Sequence, residues 1–210
     1  MLSLNSLLEI ILLLNFFILG ASRLRTVLYL VAVQGVVLGI APLWVEHGVR
    51  VFLLAIVTVA VKGVVIPKLL FFAMRDVTIG PEVRPTGGFI TSLLLGALGT
   101  ALSLWFSQTL PLRDTNLGTL IVPASLATIF TGFLMLVTRV RTLSQTLGYL
   151  VLENGVFIFG LLLLEAVPAL VEAGVLLDLF VAVFVMGTIM QHINRALDPV
   201  NVQHLSALRE

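Results

Sequence analysis

Seven apolar windows, each long enough to cross a bilayer and set apart by short charged or proline- and glycine-bearing breaks, limit what this chain can fold into. A helix needs about 20 predominantly apolar residues to span the hydrocarbon core. The windows fall near Leu4–Gly20, Thr26–Val45, Val51–Met74, Phe89–Ser107, Leu117–Thr138, Leu143–Leu164 and Ala169–Ile193. In lipid, backbone polar groups must be satisfied within the segment, so windows of this length are read as helices. The longest break, Arg75–Gly88, holds Gly80-Pro81 and Pro85 and cannot be helical throughout. The expectation is an all-α integral membrane protein with a single transmembrane domain over residues 1–210. Five spans fall in 1–138; two more and a cytoplasmic tail fall in 139–210.

Composition agrees with the windows. Hydrophobic residues make up 59% of the chain, charged residues 11%, and the mean hydropathy is +1.15. A soluble domain carries roughly 25% charged residues. Net charge is +1, and no basic stripe lies outside the short loops, so nucleic acid is discounted as a partner. The chain has no cysteine, which excludes thiolate-bound iron–sulfur clusters, cysteine zinc sites and disulfides within it. Its three histidines are scattered and form no metal-ligand pattern. Any redox chemistry linked to this protein therefore belongs to other subunits, and no cofactor is expected in this chain.

Orientation is read from the arginines. The loops after spans one, three and five and the C-terminal tail carry Arg23, Arg25, Arg75, Arg84, Arg139, Arg141, Arg195 and Arg209. The other side carries only Arg50 and Arg113, and Lys68 can snorkel to the first side. The N-terminus is expected outside and the C-terminus in the cytoplasm. The first window lacks a positive n-region and its arginines follow the apolar stretch, so it reads as a retained helix, not a signal peptide. An internal echo pairs Arg23-Leu-Arg-Thr26 with Arg139-Val-Arg-Thr142, which either reflects a structural repeat or the common occurrence of double-arginine turns on the inner side.

Three ionisable residues lie deep inside apolar windows: Lys62, Glu153 and Asp178. A charge at such a depth costs about 2.5–3.5 kcal/mol on insertion scales, so it marks a paired group, a polar cavity or an ion path. Groups whose proton affinities respond to a moving partner are what a proton relay needs. Gln145, Tyr149 and Glu153 share a stripe at i, i+4, i+8, which either holds a short water chain or places two polar residues at the interface. Pro67 frees a carbonyl near Gly63, beside Lys62, and permits a kink that can hold water. Lys62 alternatively forms a structural ion pair with a carboxylate from another span.

Weaker candidates complete the list. Glu9 and Asn15 suit helix–helix or subunit contacts, and Gln34 suits a packing hydrogen bond. His192 serves either as an interfacial residue or as a cytoplasmic proton entry near Asp178. Glu165 and Glu172 flank the outer loop and read as solvated. Gly96, Gly99 and Gly155 permit close helix approach.

The second half then becomes recognisable. Leu147-Gly-Tyr-Leu-Val-Leu-Glu153-Asn-Gly155, Pro168-Ala-Leu-Val-Glu172, Asp178 and Asn201-Val-Gln-His-Leu-Ser-Ala-Leu208 resemble component E of hydrogenase-4-type complexes. Lys62-Gly-Val-Val-Ile-Pro67 also resembles a Lys-x-x-x-x-Pro stretch of that family. Spans five to seven are in turn similar to the small three-helix membrane subunit of respiratory complex I and of Mrp antiporters, which carries an intramembrane glutamate on each of its last two helices. By position Glu153 matches the first, and Asp178 matches the second with aspartate substituted at a shorter separation.

The resemblance implies a membrane-arm subunit of a proton-translocating, hydrogenase-4 or formate-hydrogenlyase-like complex in a prokaryotic cytoplasmic membrane. Lys62, Glu153 and Asp178 would then supply titratable groups. Antiporter-like membrane subunits and peripheral redox subunits would be its partners, and the latter would carry nickel–iron and iron–sulfur centres. An Mrp-type cation/proton antiporter subunit, and an assembly subunit that moves no ions, remain as alternatives.

Overall fold

The computed structural model describes residues 3–46, 48–75, 85–110 and 120–163, with Gly174 and Phe180. Within them every element is helical. α1 (Leu4–Gly20) starts at Ser3, whose hydroxyl accepts from the Ser6 amide at 3.2 Å, and satisfies one of the orphan donors of the first turn. After Ala21, Ser22 and Arg23, α2 (Leu24–Ile40) begins, and at Pro42 it tightens into a 3₁₀ turn over Ala41–Trp44. α3 (Val49–Ala60) and α4 (Ile66–Arg75) are joined by a π turn, Val61–Val65. α5 (Phe89–Thr109), α6 (Ile121–Thr138) and α7 (Thr142–Gly160) complete the set, the last closing in a 3₁₀ turn at Leu161–Leu163.

Four of these rods are long and apolar enough to cross a membrane: Leu24–Trp44, Val49–Phe72, Phe89–Thr109 and Ile121–Thr138. Leu4–Gly20 is apolar but shorter. These are the marks of a membrane protein. Six of the seven expected windows coincide with described helices to within a few residues; the window Ala169–Ile193 lies outside the described residues.

The core is layered along the helix axes. One apolar cluster joins Ile18, Leu28, Val31, Ile66, Leu134 and Leu150 with their neighbours. A second joins Leu8, Ile11, Leu38, Ala124, Phe157 and Ile158. Each helix that enters both clusters passes from one to the other through a polar position: Asn15 in α1, Gln34 in α2, Thr128 in α6, and Glu153 and Asn154 in α7. Lys62 joins them from the π turn, next to Ile66 of the first cluster. The result is a polar layer between two apolar ones.

α6 and α7 pack backbone to backbone. A Cβ at Gly155 would stand 2.6 Å from the Ile129 amide nitrogen and 3.0 Å from the Ser125 carbonyl oxygen, so only glycine fits. Ser125 also donates its hydroxyl proton to the Gly155 carbonyl at 2.9 Å. This close seam fixes the depth of Glu153 and Asn154. Elsewhere apolar side chains face outward, among them Phe52, Leu53 and Ile56 on α3 and Ile90, Leu94, Leu98 and Trp105 on α5. Such faces suit lipid or another apolar subunit.

Candidate functional site

Lys62 is placed by a local irregularity and a close approach. Pro67 has no N–H, so a regular α-helix cannot run through it unbroken. The chain absorbs the mismatch as the π turn, in which the Ile66 amide donates to the Val61 carbonyl five residues back. π turns inside helices recur at functional positions. Gly35 of α2 lies against this turn: a Cβ there would meet the Lys62 Cβ at 2.8 Å and its carbonyl oxygen at 3.1 Å. The glycine lets the lysine backbone come flush against α2. Lys62 is 6% exposed, and its ammonium also sits 5.2 Å from the centre of the Phe157 ring.

Lys62, Pro67 and Glu153 line one pocket, together with Leu28, Val31, Ile66, Leu150 and Asn154. Its empty space, mouth included, is about 280 Å³. Glu153 is 7% exposed there, so a carboxyl and an ammonium group from helices far apart in the chain share one largely apolar enclosure. Charge is poorly screened in such surroundings.

A hydrogen-bonded chain leads away from the lysine. The Lys62 ammonium donates to Asn154 Oδ1 at 3.1 Å. Asn154 Nδ2 donates to Gln34 Oε1 at 3.2 Å, and Gln34 Nε2 donates to Asn15 Oδ1 at 2.9 Å. Asn15 Nδ2 donates to Thr128 Oγ1 at 2.8 Å, and that hydroxyl donates to the Ala124 carbonyl at 2.7 Å. All five side chains are buried.

The remaining sequence candidates fall elsewhere. Gln145 donates through Nε2 to the Arg139 carbonyl at 3.0 Å, at the corner between α6 and α7. Tyr149 is 37% exposed. Glu9 is exposed, and Asp178, His192, Glu165 and Glu172 lie outside the described residues. Asn15 and Gln34, read from sequence as packing contacts, join different helices as that reading has it, but as inner links of the chain that reaches Lys62. Asn154 and Thr128 were missed. The available signal was depth: each sits at the polar level of its own window, level with the deep residues of the other windows.

Arg139 was read as a loop charge, but it is 1% exposed. Its Nη2 donates to the Leu19 carbonyl at 3.1 Å, which satisfies an orphan acceptor at the C-terminal end of α1, and its guanidinium lies 5.7 Å from the Phe89 ring centre. Desolvation pushes its proton affinity below the usual arginine range. Arg23, its partner in the sequence echo, is exposed at the start of α2.

A protein of Mycobacterium tuberculosis, uncharacterized protein Rv0085, is 31% identical over 195 residues, covering 89% of this chain and 87% of its own length. The chain belongs to the family of that protein. A more distant relative is hydrogenase-4 component E of Escherichia coli K12, 29% identical over 151 residues, or 70% of this chain and 68% of that protein. Hydrogenase-4 component E of Shigella flexneri matches to the same extent. The second similarity links this chain, weakly, to hydrogenase-4 component E. No family model and no solved structure matches the chain.

Proposed function

We propose that this chain is a membrane-arm subunit of a proton-translocating complex of the hydrogenase-4 or formate-hydrogenlyase type. Glu153 and Lys62 form one step of its proton path. The observation that carries the reading is the pocket they share, with Pro67 beside them. A protonated Glu153 passes its proton to a neutral Lys62, giving a carboxylate and an ammonium ion in the same enclosure. The reverse transfer resets the pair. Asp178 and His192 continue the path toward the cytoplasm. The chain crosses the membrane seven times with its N-terminus outside, and its last spans act as the small three-helix subunit of complex I does. Antiporter-like membrane subunits flank it, and peripheral subunits carry the nickel–iron and iron–sulfur centres.

Glu153→Gln tests this reading. Amide keeps the shape and most hydrogen bonding of the carboxyl group but cannot titrate. Proton pumping in inverted membrane vesicles, normalised to assembled complex, is expected to fall to background. Pumping at the wild-type level by fully assembled Glu153→Gln complex would refute the relay.

A second reading, an assembly subunit that moves no ions, draws on the hydrogen-bonded chain behind Lys62, since a fully satisfied buried polar network can serve specificity of packing alone. It expects Glu153→Gln and Lys62→Met to alter the amount of complex and leave pumping per complex intact.

A further inference from the structure

The direction of the buried hydrogen-bonded chain is fixed by its two ends. An ammonium group can only donate, so Asn154 must turn its oxygen toward Lys62. Its NH₂ group then faces Gln34, which accepts through oxygen and passes its own NH₂ to Asn15; Asn15 does the same toward Thr128. At the far end the Thr128 hydroxyl accepts from Asn15 and gives its proton to a carbonyl of its own helix, which can only accept. Every donor points away from the lysine and every acceptor oxygen points toward it. Such aligned bonds polarise one another in a low-dielectric interior.

We propose that Asn154 is a positioning residue for Lys62, and that Gln34, Asn15 and Thr128 form a one-way chain that locks the Asn154 amide with its oxygen toward the ammonium group. Glu153 and Asn154 are consecutive on α7, so the Lys62 ammonium bonds an amide oxygen beside a carboxyl group that lines the same pocket. The amide gives the ammonium a fixed neutral partner beside a titrating one. An asparagine alone would keep its oxygen inward only while it faces an ammonium group, because the neutral amine of the relay step can accept from the amide NH₂ instead. The chain through α2, α1 and α6 removes that freedom. Thr128 thus acts on the pocket from a helix that does not line it.

The inference rests on the relay reading, and the test separates the two. Thr128→Val keeps shape but deletes the terminal acceptor, and Gln34→Met cuts the chain in the middle. Thr128→Ser keeps the hydroxyl. Proton pumping per assembled complex, electron transfer and assembled amount are measured in vesicles carrying the whole complex, with Glu153→Gln alongside. We expect Thr128→Val and Gln34→Met to lower protons moved per electron by roughly tenfold, the scale of a misplaced reacting group. Thr128→Ser should restore most of it.

Wild-type coupling in assembled Thr128→Val and Gln34→Met complexes, with Glu153→Gln inactive, overturns the positioning role and leaves the relay standing. Loss of assembly in both variants, or normal coupling in whatever complex forms, overturns it in favour of a purely structural network. Normal pumping by Glu153→Gln removes the relay itself.

Discussion

Lys62 and Asn154 stand 92 positions apart in sequence, yet the lysine ammonium donates to the asparagine oxygen at 3.1 Å inside the bundle. The contact exists because three local features converge. Pro67 forces the π turn that carries the lysine, Gly35 lets that turn lie flush on α2, and Gly155 sets α7 at the matching depth against α6. None of the three bears a charge. They decide where the charged groups meet.

Replacing the lysine should separate a relay from a strut. Lys62→Met leaves Asn154 Oδ1 without its donor, a loss of about 1–3 kcal/mol for a buried acceptor. If Glu153 is held ionised by Lys62, the stranded carboxylate raises the cost to about 3–5 kcal/mol. A relay predicts that the complex which does assemble pumps at background. Native-gel quantification alongside vesicle acidification checks this, and normal pumping per complex would show the lysine to be structural.

Glu153→Asp should retain partial pumping. The carboxyl group survives but withdraws by one methylene, about 1.5 Å. The pocket opens to a mouth, so part of the lost reach is recovered by side-chain adjustment at its lining. The expected order is wild type, then Asp, then Gln. An aspartate variant as inactive as glutamine would mean that reach, and not titration alone, limits the step.

Gly35→Ala tests the seating of the lysine. The added methyl would meet the Lys62 Cβ at 2.8 Å and its carbonyl at 3.1 Å, so the π turn must shift. Overpacking of this kind typically costs about 1–3 kcal/mol. We expect a lower thermal midpoint of the purified complex and reduced pumping. Full activity with unchanged stability would indicate that the turn yields freely.

Much of this arrangement was legible in the sequence because hydropathy and depth are one-dimensional signals. The window Leu4–Gly20 matches α1 end for end, and Lys62, Pro67 and Glu153 stood out as a charge, a helix breaker and a charge in apolar runs. The irregularity that Pro67 imposes falls at Val61–Val65, around Gly63, as a π turn. What the sequence could not show is azimuth. Gln145 and Tyr149 share a nominal stripe with Glu153, but the stripe drifts around α7; Gln145 ends on the Arg139 carbonyl and Tyr149 faces outward. Asn154 points at Lys62 instead, a pairing set by how α7 packs on α2 and α6 and not by any periodicity within α7.

Topology can be checked directly. The arginine distribution expects a cytoplasmic C-terminus, with the turn at Gly48 and the segment around Arg113 outside. A C-terminal alkaline phosphatase fusion should be inactive and a green fluorescent fusion bright. A cysteine introduced at either outer position should react with a membrane-impermeant maleimide in intact cells, the parent chain having no cysteine of its own. Labelling only after permeabilisation would sink the N-out arrangement.

Arg139 supplies the last prediction, because its burial overturns its reading as a solvated loop charge. Its guanidinium holds the Leu19 carbonyl at 3.1 Å and faces the Phe89 ring, while its own carbonyl accepts from Gln145. One residue thereby ties the end of α1, the start of α5 and the corner between α6 and α7. Arg139→Ala removes a charge-assisted hydrogen bond, worth about 1.5–3 kcal/mol, and the stacking on Phe89 besides. Arg139→Lys should recover only part of this, since an ammonium lacks the flat fork that donates and stacks at once. Burial lowers the proton affinity of Arg139, but arginine starts so high that it stays charged throughout the working range. The destabilisation should therefore be flat with pH from about 5 to 9. Heat-induced loss of the detergent-solubilised complex, followed at several pH values, measures it. Equal stability of Arg139→Ala and wild type would show that these contacts do not hold the corner.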